Sequence, residues 1–262
     1  AILARTMGIP AILGVPVRAD WNGRMAVLDG EEGLVILDPE VDLLEGYRRR
    51  QREESEERAR LEKLKGAGNV TLDGKEIQLM ANIGSARDIE EVIEQDGAGV
   101  GLFRSEYLYL GREESPSEEE QYLEYKSVLE KMQGKRVVIR TLDAGADKQA
   151  AYLGMAREEN PALGCRGIRL CLERRELFRT QLRALLRASV WGNLEVMYPM
   201  IISVAEVQKI QEILKEAREE LTKEGIPWKD FPQGVMIETP AAVMISRELA
   251  AEVDFFSIGT ND

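Results

Sequence analysis

The stretch VMIETPAAVMISRELAAEVDFFSIGTND, residues 235–262, decides the reading of the fold. Two short apolar runs, Val235-Met236-Ile237 and Phe255-Phe256-Ser257-Ile258, each lead into a carboxylate: Glu238 directly, and Asp262 after Gly259-Thr260-Asn261. Between them, residues 241–250 carry apolar positions at helical spacing. Strand, helix, strand, with an acid at the exit of each strand, is the unit of a parallel α/β fold, where the carboxyl ends of neighbouring strands face the same way. Glu238 and Asp262 can therefore converge on one hard cation. Mg²⁺ fits, because it takes one or two protein carboxylates and draws its other oxygens from substrate and water.

Working upstream, the same alternation repeats. Strand-like runs cover residues 77–81, 99–103, 137–139 and 194–198, and amphipathic helical stretches cover 85–95, 117–132, 173–190 and 204–222. Repeated β-α units predict a parallel sheet, and polar groups gathered at strand exits predict a barrel of the (β/α)₈ type, of which about six of the eight strands are found here. Before this comes YRRRQREESEERARLEKLK, rich in helix formers whose opposite charges can pair four residues apart, which predicts a solvated linker helix over 39–68. Residues 1–38 hold a short helical piece, AILARTMG, and then apolar runs at 11–13, 25–28 and 34–37 separated by Gly, Pro and Asp, the pattern of a small β-rich unit.

Composition narrows the function classes. A net charge of -12 argues against a general nucleic-acid binder. No apolar run approaches the roughly 20 residues of a membrane span, and no secretory leader opens the chain, so a cytoplasmic protein is expected. Cys165 and Cys171 have the spacing of neither a metal site nor a disulfide framework and are expected as reduced thiols. Histidine is absent, which removes the commonest general base and metal ligand.

The strand exits carry the chemistry. The run at 99–103 leads into Arg104-Ser105-Glu106, that at 137–139 into Arg140-Thr141-Leu142-Asp143, and that at 235–237 into Glu238. The segment NPALGCRGIRL has Asn160-Pro161 and Gly164 to set turns that present Arg166. Arginine's planar fork binds phosphate or carboxylate in a bidentate manner and keeps its charge when buried. Arginines and carboxylates together at one face form the pattern expected for a metal and a phosphorylated or carboxylated substrate. Arg169, the cysteines, Trp191 and Tyr198 are assigned to packing or surface. The glycines of GAGVG at 97–101 lack the spacing and lysine of a phosphate loop.

AILARTMGIPAILG, GVGLFRSEYLYL, VVIRTLDAGADK, NPALGCRGIRL, QLRALLRAS, VMYPMI, GVMIETPAAV and DFFSIGTND, in this order, resemble the enzyme I family of the phosphoenolpyruvate-dependent sugar phosphotransferase system, over nearly the whole chain. The resemblance implies transfer of the phosphoryl group of phosphoenolpyruvate, with Mg²⁺, to a histidine of a swivelling domain and on to a small histidine phosphocarrier protein. It implies a site in a (β/α)₈ barrel, with Arg104 and Arg140 as the clamp, Glu238 and Asp262 on the metal, Asn261 and Asp262 on the substrate, and Arg166 at the border of the pocket. It further implies that 1–38 are the end of the phosphohistidine domain, 39–68 a linker helix and 69–262 an incomplete TIM-type barrel, in a homodimer. The family's acceptor histidine precedes the segment matching residue 1. A third arginine, a proton-handling cysteine and two strands follow the segment matching Asp262. The chain is therefore expected to be an internal fragment, inactive alone and open at both sheet edges. The alternatives are a phosphoenolpyruvate synthase or pyruvate phosphate dikinase relative, or a non-catalytic phosphoenolpyruvate-binding or dimerisation module.

Overall fold

A computed structural model describes residues 9–145, 152, 154, 159–160 and 163–259, and the chain divides into two compact units, residues 1–67 and 68–262. The first contains a hairpin of β1 (Ala26–Asp29) and β2 (Leu34–Leu37), paired antiparallel with Ala26 opposite Leu37, followed by α1 (Val41–Glu62). The hairpin turn is fixed by Asp29, whose carboxylate accepts the backbone N–H of Glu31 and Glu32 and pairs with Arg50 of α1 at 3.0 Å. These contacts hold the Asp29 carboxyl below its ordinary range, the Glu32 N–H contributing most. No described apolar side chain of this unit is buried, and α1 is solvated along its length. The apolar run at 11–13 joins no strand, and the predicted helical piece at 1–8 lies outside the described residues.

In residues 68–262 six strands form one parallel sheet, in the order β3 (Ala81–Ile83), β4 (Gly99–Arg104), β5 (Arg136–Arg140), β6 (Asn193–Tyr198), β7 (Gln233–Ile237) and β8 (Phe255–Ile258), curled as a half-barrel. Every strand pairs with its neighbour in sequence, and helices fill the connections. These are α2 (Ile89–Glu94), α3 (Glu118–Lys131), α4 (Ile168–Glu173), α5 (Arg175–Ala188), α6 (Val204–Lys223), α7 (Pro240–Met244) and α8 (Ser246–Leu249). The period of two assigns the faces. Val137, Ile139, Leu194, Val196, Tyr198 and Val235 are buried in the main core together with helix residues such as Phe178, Leu182 and Leu185. Val138, Met197 and Met236 turn to the inner face, where Leu102 and Phe255 pack on them.

The capping boxes Ser117/Glu120 and Ser203/Glu206 start α3 and α6 by satisfying orphan N–H groups at both ends of the motif. Arg183 of α5 reaches Glu118 at 2.6 Å, Glu220 at 3.0 Å and Glu224 at 2.7 Å, which ties α3, α5 and α6 into one layer. The helix predicted over 173–190 stands as α5, and a short helix not predicted, α4, precedes it and is parted from it at Arg174 (φ -98°, ψ 61°). One predicted helix is broken: that over 241–250 becomes α7 and α8, parted at Ile245. The first strand also moves, from 77–81 to Ala81–Ile83. Its expected beginning is taken by a local hairpin in which Ile77 N–H bonds Asn69 O at 2.7 Å and Gly74 turns the chain at φ 86°.

Candidate functional site

The glycines of GVGLFR shape β4 rather than cradle phosphate. A Cβ on Gly99 would stand 2.5 Å from the Arg136 carbonyl oxygen and 2.6 Å from Met80 Cε, so only glycine permits that approach to β5. Between Val100 and Phe103, β4 carries one residue more than both neighbours: Val100 and Phe103 pair with Val137 and Ile139 of β5. This bulge keeps both Val100 and Phe103 in the helix-side core and brings Arg104 opposite Arg140. Two arginines thus stand side by side on the inner face where β4 and β5 end.

Like charges so placed repel, and the structure supplies counter-charges to one of them. Arg140, 8% exposed, places Nη2 2.6 Å from Glu106 Oε1 and 3.3 Å from Asp143 Oδ2. Its Nε is buried with no hydrogen-bond partner among the described residues. Arg104 is half-buried and makes no ion pair among the described residues. Asp143, 1% exposed, also takes Arg166 in a two-pronged bond, with Nε at 3.1 Å from Oδ1 and Nη2 at 2.9 Å from Oδ2. The cluster joins three loops: the exit of β4, the exit of β5 and the entry to α4.

Arg166 reaches Asp143 because Gly167 turns the chain at φ 55°, ψ -130°, and its N–H bonds Ala144 O at 3.1 Å. A Cβ on Gly167 would lie 2.8 Å from Met200 Cγ. Met200, itself at φ 61°, donates its N–H to Glu238 Oε1 at 2.6 Å. Glu238 is thereby connected to the arginine cluster through the exit of β6. The Gly259 N–H bonds Ile237 O at 3.1 Å, and a Cβ there would lie 3.5 Å from Glu238 Oε2. A partly exposed carboxylate at this edge has the donor chemistry a hard cation requires. Among the described residues, no three acidic, cysteine or histidine side chains gather as a metal cage.

Four of the residues singled out in the sequence, Arg104, Arg140, Arg166 and Glu238, therefore stand at the same end of the sheet. Asn261 and Asp262 lie outside the described residues. Arg169 donates from Nη1 to Leu163 O at 2.9 Å. Both cysteines are free thiols, and burial raises the pKa of Cys171 far above its ordinary value. Glu106 and Asp143 are not singled out by the sequence pattern, although they follow Arg104 and Arg140 by two and three positions. That spacing, acid after arginine at a strand exit, is the signal that finds them.

The profile of phosphoenolpyruvate-utilising enzymes, PEP-binding domain, matches residues 58–262. The chain belongs to this family. It is 48% identical, over all of its length, to a protein of Priestia megaterium named phosphoenolpyruvate-protein phosphotransferase. Proteins of the same name from Bacillus subtilis (strain 168) and Staphylococcus epidermidis are 47% and 46% identical to it. In each case the match takes in 46% of the relative, so the chain spans about half the length of these curated relatives. No described helix is long and apolar enough to cross a membrane.

Proposed function

We propose that the chain binds phosphoenolpyruvate at the exits of β4, β5 and β7 as the substrate-binding part of a phosphoenolpyruvate-protein phosphotransferase. One observation carries this reading: Arg104 and Arg140 are cross-strand partners on the inner face and, among the described residues, Arg104 makes no ion pair and the buried Nε of Arg140 has no hydrogen-bond partner. Two guanidinium groups side by side suit the equatorial oxygens of a phosphoryl group. Arg140, held by Glu106 and Asp143, is the fixed member, and Arg104 is free to swing onto the ligand. As the bond from phosphorus to the enol oxygen breaks and one to the accepting histidine nitrogen forms, these arginines would hold the phosphoryl oxygens and offset their charge. The sequence contains no histidine, so the acceptor comes from outside residues 1–262.

Glu238 has the chemistry to hold Mg²⁺, with Asp262 as the second carboxylate, and the ion would polarise substrate oxygens there. We assign Asn261 and Asp262 to the substrate, Arg166 to the wall of the pocket, and the six-strand sheet to a (β/α)₈ barrel. Residues 1–38 are read as part of a phosphohistidine domain and 39–68 as its linker. A small histidine phosphocarrier protein is the onward acceptor in a sugar phosphotransferase pathway of the cytoplasm, and the barrel forms a homodimer. The names of the relatives favour protein phosphotransfer over phosphoenolpyruvate synthesis.

The test is calorimetry of phosphoenolpyruvate, with and without Mg²⁺, on a full-length protein that carries this chain. Saturable Mg²⁺-dependent binding that weakens about 100-fold in Arg104→Ala and Arg140→Ala supports the reading. Binding unchanged in both variants overturns it.

A further inference from the structure

The segment QLRALLRAS begins with a glutamine where the helix pattern calls for an apolar residue. Phe178, Leu182 and Leu185 of α5 are buried, and Gln181 sits among them with 1% exposure. An amide in such a place must find partners or cost its desolvation. It finds three. Oε1 accepts the Leu142 N–H at 2.9 Å, and Nε2 donates to Ser105 Oγ at 3.0 Å and to the Tyr125 hydroxyl at 3.1 Å.

The identity of those partners gives the amide its significance. Ser105 stands between Arg104 and Glu106, and Leu142 stands immediately before Asp143 in the loop that follows Arg140. One side chain, on a helix pinned from outside by Arg183, therefore bonds both loops that carry the arginine cluster. The network continues inward. Tyr125 donates to Gln121 Oε1 at 3.3 Å, which also accepts from Tyr109 at 2.9 Å, and Gln121 Nε2 bonds Pro116 O at 3.1 Å. Pure packing would be served by a leucine, as at Leu182 and Leu185. What the amide adds is direction, since it bonds the exits of β4 and β5 at the same time.

We infer that Gln181 is a positioning residue for phosphate recognition: by bonding Ser105 and Leu142 at once, it sets the spacing of Arg104 and Arg140 to that of one phosphoryl group. This rests on the phosphoenolpyruvate reading and adds a residue that touches neither substrate nor metal. A misplacement of about 1 Å at such a site can cost on the order of 100-fold.

The test uses the full-length protein carrying this chain, with phosphoenolpyruvate and Mg²⁺ as the probe. Gln181→Leu keeps the volume and should weaken phosphoenolpyruvate affinity about 10- to 100-fold. Leu185→Ala, a cavity in the same helix, should lower the melting temperature at least as much and leave affinity within about twofold. In an Arg140→Ala background the effect of Gln181→Leu should largely vanish, because there is no longer a pair to space. If Gln181→Leu fails to fold, Ser105→Ala, which removes one of the three bonds, should weaken affinity about three- to tenfold. Wild-type affinity in Gln181→Leu, an equal loss in Leu185→Ala, or an undiminished effect in the Arg140→Ala background would overturn the inference. Weakened binding in the arginine variants together with normal binding in the glutamine variant sinks the inference alone. Normal binding in Arg104→Ala and Arg140→Ala sinks the reading beneath it and the inference with it.

Discussion

Arg104 and Arg140 are direct partners across β4 and β5, yet their surroundings are opposite: Arg140 is clasped by Glu106 and Asp143, and Arg104 makes no ion pair among the described residues. The pairing depends on the one-residue bulge in β4, which returns Arg104 to the inner face level with its neighbour. Under the proposed reading, Arg140 would be the anchored member of an anion-binding pair and Arg104 the member not committed to an ion pair among the described residues.

The two arginines should therefore separate stability from binding. Arg104→Ala removes no structural partner and should change unfolding free energy by less than about 0.5 kcal/mol, while phosphoenolpyruvate affinity falls about 100-fold. Arg140→Ala leaves two buried carboxylates without their shared cation and should cost about 3 kcal/mol in addition to the affinity. Urea denaturation alongside calorimetry reads both quantities. Equal destabilisation by the two variants would contradict the assignment.

Asp143 links Arg140 with Arg166, so its charge matters more than its size. Asp143→Asn keeps the shape but leaves two buried guanidinium groups short of a counter-ion, and should lose about 3 kcal/mol of stability. Arg166→Met removes the positive partner instead. In the double variant the two losses should be less than additive, because the second change relieves the charge left by the first. Additive losses in a denaturation cycle would show that the two-pronged pair is not the main interaction of either residue.

The sheet was legible because its strands read as short apolar runs, the central ones largely buried, and five of six kept their expected place within a few residues. The sixth was displaced by a local competitor, the turn at Asp73-Gly74, whose dipeptide is itself a hairpin signal. Arg104, Arg140 and Glu238 were legible for a related reason, since a strand exit is a fixed place in this architecture. Gln181 was not, because its partners lie 39 and 76 residues away, beyond the reach of any local period. Sequence pattern located the bearers of charge, and tertiary contact determined what orients them.

The start of α3 carries a defined pH dependence. Glu120 accepts from the backbone and hydroxyl of Ser117 and pairs with Arg112 at 2.8 Å, which lowers its carboxyl pKa to about 2, the Ser117 N–H contributing most. A depressed carboxylate stabilises the fold above its unfolded pKa of 4.5, and that contribution is lost as pH falls from there towards 2. Ser117→Ala should cost about 1 kcal/mol at neutral pH. The difference between Glu120→Gln and the parent, followed by thermal melts across the acid range, should shrink as pH falls through that window. A constant difference would mean that the ionised form of Glu120 contributes nothing.

Gly167 offers a test of how tightly the arginine cluster is built, because two costs can be separated there. At φ 55° and ψ -130° the backbone is open essentially to glycine, and an added Cβ would also stand 2.8 Å from Met200 Cγ and 3.3 Å from Asp143 Oδ1. Gly225, at φ 73° with nothing within 4 Å of its would-be Cβ, carries the backbone cost alone. Gly225→Ala should therefore lose about 1 kcal/mol and leave ligand affinity unchanged. Gly167→Ala should lose about 2–4 kcal/mol, since overpacking adds to strain. It should also weaken phosphoenolpyruvate binding, because Arg166 precedes it and Asp143 is the group it displaces. If both variants cost the same and neither alters binding, Met200 and Asp143 have room to yield, and the cluster is looser than its distances imply.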